Sequence, residues 1–149
     1  MRHAWAVSGT FGGECLSLAA CRAVLEVYGA EEVISTLWKA GVAFKQGFNE
    51  LAPDMARCIG YPAHPKIEFL RGDPIVMMSL FLQETAARDL LLHPAGLNPS
   101  YAHHSEIVED TLTTMAEALE VVRVALEEDT VAQSLRGKLM EPVLIRAAP

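Results

Sequence analysis

Apolar residues recur at helical spacing after the first fourteen positions. Leu16, Ala19, Ala20, Ala23, Val24 and Val27 form one stripe, predicting a core-facing helix from Cys15 to Tyr28 with Gly29 as its stop. A shorter apolar run, Ala4 to Val7, precedes it and reads as a strand. A second helix is expected from Glu31-Glu32 to about Leu51. Its stripe is Val33, Ile34, Leu37, Trp38, Gly41, Val42, Phe44, Lys45 and Phe48, and Pro53 limits it. Lys39 and Lys45 on this helix are most simply solvated.

The period then changes. Tyr61-Pro62 and His64-Pro65 read as turn or extended dipeptides, and Lys66 to Leu70 alternates as a half-buried strand does. Asp73 before Pro74 is an N-cap followed by proline at the first helical position, opening a helix that reaches about Asp89. Leu90 to His93 reads as a short strand and Asn98 to Ala102 as an extended piece, with Pro99 suiting a sheet edge. The longest helix follows, from about Ser105 to Glu128, on the stripe Val108, Leu112, Met115, Leu119, Val122 and Leu126. A short helix over 131–138 and an apolar tail over 142–145 end the pattern. Moderate helices mixed with few short strands predict an α+β fold. Its small antiparallel sheet of about three strands, near 66–70, 90–93 and 99–102, is covered by helices.

Composition adds exclusions. The 149 residues are 51% hydrophobic and 21% charged, enough for one real core. A net charge of −7 argues against a nucleic-acid partner, which needs a basic face. No apolar run has the length of a membrane span, and no signal-peptide pattern opens the sequence, so the cytoplasm is expected. Cys15, Cys21 and Cys58 lack C-x-x-C spacing and are expected to be reduced and buried. His103 and His104 are adjacent, so their rings diverge, and no metal site is expected.

Candidate chemistry begins at Ser8-Gly9-Thr10-Phe11-Gly12-Gly13-Glu14, between the first strand and the first helix. A Gly-rich turn carrying a hydroxyl at a helix N-terminus is a plausible anion site. It matches neither G-x-G-x-x-G nor a P-loop, so a nucleotide is disfavoured. A structural turn that caps the helix is the commoner use of such a segment.

The same residues carry a resemblance. Ser8 to Ala20 is similar to the segment that follows the cofactor lysine in class III aminotransferases, which depend on pyridoxal 5′-phosphate (PLP). It most resembles the glutamate-1-semialdehyde aminomutase group. Ser79 to Asp89 resembles that family's F-x-Q-E helix, and Asn98 to His103 followed by Ser105 to Leu112 its N-x-S-Y-A-H segment and last long helix. The likeness runs in order over roughly residues 5 to 128. It implies that residues 1–50 end a large domain and its connecting helix, and that residues 51–149 form the C-terminal small domain of a fold-type I PLP enzyme.

The resemblance also implies roles. Gly9 and Thr10 would contact the phosphate of PLP held by the other subunit of a homodimer. Glu84 resembles an acidic residue at the active-site mouth, able to pair with an arginine or a substrate amine; a solvated helix carboxylate is the plainer alternative. The family's Schiff-base lysine, its aspartate for the ring nitrogen and its stacking aromatic lie upstream of the residue 8–14 motif. The chain alone is therefore expected to be inactive, as an excised domain, a truncated product or half of an enzyme completed by a large-domain polypeptide. A non-catalytic binding or assembly module with the same fold is the alternative, and an unrelated α+β domain a third.

Overall fold

The computed structural model describes residues 13–94 and 96–140, so the expected strand over 4–7 and the tail over 142–145 lie outside the described residues. Two compact units are present, residues 1–35 and 36–149.

The first unit contributes helix α1 (Cys15–Ala30). Gly29 does not stop it. The glycine lies inside the last turn, and the helix closes at Glu31, whose N–H donates to Val27 O at 2.9 Å. The stripe expected to face a core has none of its residues buried, and its Leu16 and Val24 are 74% and 53% exposed. Among the described residues, its unit offers no second layer to cover it. Cys15 and Cys21 are exposed on α1, against expectation, and only Cys58 is buried; all three are free thiols.

Helix α2 (Val33–Leu51) is followed, in the second unit, by strands β1 (Ala56–Tyr61) and β2 (His64–Phe69) and helices α3 (Pro74–Ala86) and α4 (Ser105–Glu127). Phe44 and Phe48 of α2, Ile67 and Phe69 of β2, Leu80 and Phe81 of α3 and Met115 and Val122 of α4 form one core. Its centre is aromatic. Phe81 meets Phe48 and Phe69 edge-on, with ring centroids 6.3 and 5.9 Å apart. The predicted stripe of α2 is rotated slightly: Ala40, Gly41, Phe44 and Phe48 are buried, while Ile34, Trp38 and Val42 are exposed.

Helix α3 starts as predicted. Asp73 Oδ1 accepts from the N–H groups of Ile75 (2.8 Å) and Val76 (3.2 Å), and Pro74 fills the first position. The helix ends at Ala86, and α4 matches its expected span to within a residue.

The α+β class and the small antiparallel sheet are as expected, but the strands differ. Among the described residues the sheet has two, β1 and β2, paired from Ala56↔Phe69 to Tyr61↔His64. Residues 90–93 and 99–102 form no strand. Leu97 N–H donates to Pro65 O at 2.8 Å without extending the ladder; Pro94 and Pro99 remove donors that a third strand would need. Residues 131–138 form turns rather than a helix.

The outer edge of β1 is closed by side chains of α2. Asn49 Oδ1 accepts from Cys58 N–H (2.6 Å) and its Nδ2 donates to Cys58 O (3.3 Å), copying a neighbouring strand. Lys45 Nζ donates to Gly60 O at 2.7 Å, so this lysine is half-buried rather than merely solvated. Burial pushes the adjacent Cys58 thiol up to about 11, against the opposing charge of Lys45.

Candidate functional site

The turn expected to hold a phosphate leads into α1. Gly9, Thr10 and Phe11 lie outside the described residues, whereas the helix start is described. Its first N–H groups are already taken by an anion of the chain itself. The Glu14 carboxylate accepts from Leu16 N (3.2 Å), Ser17 N (2.9 Å) and Ser17 Oγ (2.7 Å). The Ser17 hydroxyl, then the Ser17 N–H, hold the Glu14 carboxyl below its usual value, with the Leu16 N–H adding to them. The N–H groups of Leu16 and Ser17 at the α1 N-terminus are therefore not open to an outside anion.

Glu84 lies on α3, its side chain 12% exposed, which excludes a freely solvated carboxylate. Both oxygens are engaged. Oε2 accepts from Arg88 Nη1 at 2.9 Å, and Oε1 from Arg136 Nη2 at 2.7 Å and Gln83 Nε2 at 3.1 Å. Burial raises the Glu84 carboxyl pKa, but the Arg88 and Gln83 hydrogen bonds, with the charges of Arg136 and Arg88, outweigh it. The net direction is down. Of the two partners open to Glu84, an arginine or an amine, arginine is the one it holds.

Three residues of this network carried no assigned role in the sequence. Arg88 was legible, because Glu84 and Arg88 stand four apart on one helix face. Gln83 stands beside Glu84 in the F-x-Q-E run. Arg136 gave no signal: it is 52 residues from Glu84 and on no periodic element.

A separate cavity of about 280 Å³ lies among Phe44, Leu92, Leu97, Val108 and Met115, with Asn98 and His103 at its wall; Glu84 is not part of it. His103 Nδ1 accepts from Ser100 N (2.7 Å) while His103 N donates to Ser100 O (3.0 Å), closing a turn ahead of α4. His64 Nδ1 lies 2.8 Å from Asn98 Oδ1. Among the described residues no group of histidine, cysteine and carboxylate side chains could hold a metal, and no helix is long and apolar enough to cross a membrane.

None of the lysines sits in a closed apolar pocket. Lys39, Lys66 and Lys138 are exposed and Lys45 serves Gly60.

No family model matches the chain, and no curated protein matches it. Solved structures do. The FumI protein of Sphingopyxis sp. MTA144, in its PLP internal aldimine form, superposes with a TM-score of 0.70 and 21% identity over 83% of this chain. An omega-transaminase from Sphaerobacter thermophilus superposes with a TM-score of 0.65 and 18% identity over 80% of it. The chain spans 31% of the length of each. It has the fold of one portion of these two enzymes.

Proposed function

We propose that this chain is the C-terminal portion of a PLP-dependent aminotransferase of class III, related to the glutamate-1-semialdehyde aminomutase group. One observation carries the reading: the ordered resemblance over roughly residues 5 to 128 coincides with a structural match over 83% of the chain to a protein in a PLP-bound form. In this reading residues 1–50 belong to the large domain and its connecting helix, and residues 51–149 to the small domain. The complete enzyme is cytoplasmic and acts on a small amino substrate as a homodimer, or as an assembly with a large-domain polypeptide.

When bound, PLP supplies the electron sink for moving an amine and an α-proton. This chain's part is to bind and orient. The Thr10 hydroxyl and the Gly9 backbone would hold the phosphate of PLP carried by the other subunit, glycine allowing close approach. Glu14 anchors the helix that follows, which fixes where the turn ends. Glu84, held by Arg88 and Arg136, keeps a negative charge on α3, so its role at the substrate mouth is electrostatic rather than acid–base. The four lysines leave the Schiff base to a lysine elsewhere.

The test is PLP added to the purified chain, borohydride reduction and peptide mapping, followed by assay with a complementing large-domain polypeptide. We expect no single lysine to be labelled in the chain alone. Transamination should appear on complementation and weaken with Thr10→Val through lower PLP affinity. A stoichiometric label on one lysine overturns the division of labour. Complexes that form but never transaminate favour a non-catalytic assembly module.

A further inference from the structure

We propose that residues 130–140 form a detachable strap, clipped to α3 by Ser79, Gln83 and Glu84, which opens while the core of helices and sheet stays folded.

The strap follows α4 and has neither helix nor strand of its own. Its fastening is a set of side chains on α3. Both ends of the Gln83 carboxamide are used: Nε2 donates to Ser134 O (3.1 Å) and Oε1 accepts from Arg136 N (2.6 Å). Ser79 Oγ accepts from Met140 N at 2.9 Å while donating to Ile75 O at 2.7 Å. Positions 79 and 83 are one helical turn apart, so a single face of α3 holds the strap at three points, Ser134, Arg136 and Met140.

The electrostatics make the clip reversible. Removing one partner from a buried ion pair is ordinarily expensive, because the other charge is stranded. Glu84 avoids this by having two counter-ions. Arg88, four residues on along α3, is resident: it bonds Glu84 Oε2 and is itself held by Glu117 Oε2 at 3.2 Å. Arg136 is the visitor, arriving on the strap with its side chain already 64% exposed. When the strap lifts, Arg136 returns to water and Glu84 keeps Arg88. Gln83 and the strap amides likewise exchange protein partners for water.

The apolar side of the contact is small. Val131, Leu135 and Met140 pack against the core but are only partly buried, whereas Met115, Ala118 and Val122 of α4 are fully buried. Segments with few buried apolar contacts open at far lower free energy than the core.

Native-state hydrogen exchange on the full chain tests this without PLP or any partner. The amides of Arg136 and Met140 should exchange about a hundredfold or more faster than those of Leu119 and Val122. Gln83→Ala should speed Arg136 about tenfold and leave Leu119 unchanged, the loss of roughly one net hydrogen bond's worth of protection. Should Gln83→Ala fail to fold, Arg136→Ala replaces it, read by tryptic cleavage after Lys138, which should accelerate. Equal protection at Arg136, Met140, Leu119 and Val122 overturns the proposal. So does a variant that loosens Leu119 as much as the strap, because the strap would then be an inseparable part of the core.

Discussion

Gly41 and Pro62 touch through backbone alone: a Cβ built on Gly41 would stand 1.8 Å from the Pro62 carbonyl oxygen. The turn between β1 and β2 therefore rests directly on α2. Gly41→Ala would gain about 1 kcal/mol in helix propensity, yet the clash is with a backbone that can yield only if the hairpin lifts. We expect net destabilisation of about 1–3 kcal/mol in urea unfolding. Gly29→Ala, on α1 with nothing within 4 Å of the added carbon, is the control and should raise helicity instead.

Acid should loosen the Glu84 network. A carboxyl held below its ordinary value stabilises the fold above that value, 4.5, and the contribution is lost as pH falls through the lowered folded value. Thermal melting from pH 7 to 3 should show a fall in Tm beginning near pH 4.5. Glu84→Gln should lower Tm at pH 7 and flatten that acid limb relative to the native chain.

Thiol reactivity should divide the cysteines. Cys58 is buried with its thiol pushed up to about 11, while Cys15 and Cys21 are exposed. Iodoacetamide at pH 8 should modify Cys15 and Cys21 and spare Cys58 until denaturant is added, as read by mass spectrometry.

Asp73→Ala should remove the two N-cap bonds of α3 and destabilise by about 1 kcal/mol. Asp73→Asn, which keeps the acceptor, should recover most of the loss in the same denaturation assay.

Local chemistry explains which parts of the fold could be read from the sequence. Asp73-Pro74 announced α3 because a cap and an N1 proline act within four residues. The stripe Val108, Met115, Leu119 and Val122 announced α4 because a long helix repeats its signal. Strand β1 stayed hidden since its buried positions are small, Ala56 and Cys58, and its edge bonds come from Asn49 and Lys45 of a preceding helix. Leu90 to His93 misled for the opposite reason: it is apolar enough for a strand, yet no strand forms there. At the candidate site, the i, i+4 spacing of Glu84 and Arg88 held a signal that the sequence reading did not use. Arg136 held none, because only the folded strap brings it near.

The carboxamide of Asn49 has a consequence for self-assembly. A fibril built by strand addition needs every copy to offer two free sides, one to receive and one to donate. Here the β1 side is already satisfied within the molecule, by Asn49 at Cys58 and Lys45 at Gly60. Any strand-to-strand union is left only the β2 side, itself partly taken where Leu97 N–H donates to Pro65 O, and a union that consumes one side from each copy ends at two. Asn49 and Lys45 together thus turn an open-ended polymerisation hazard into, at most, a self-limiting pair.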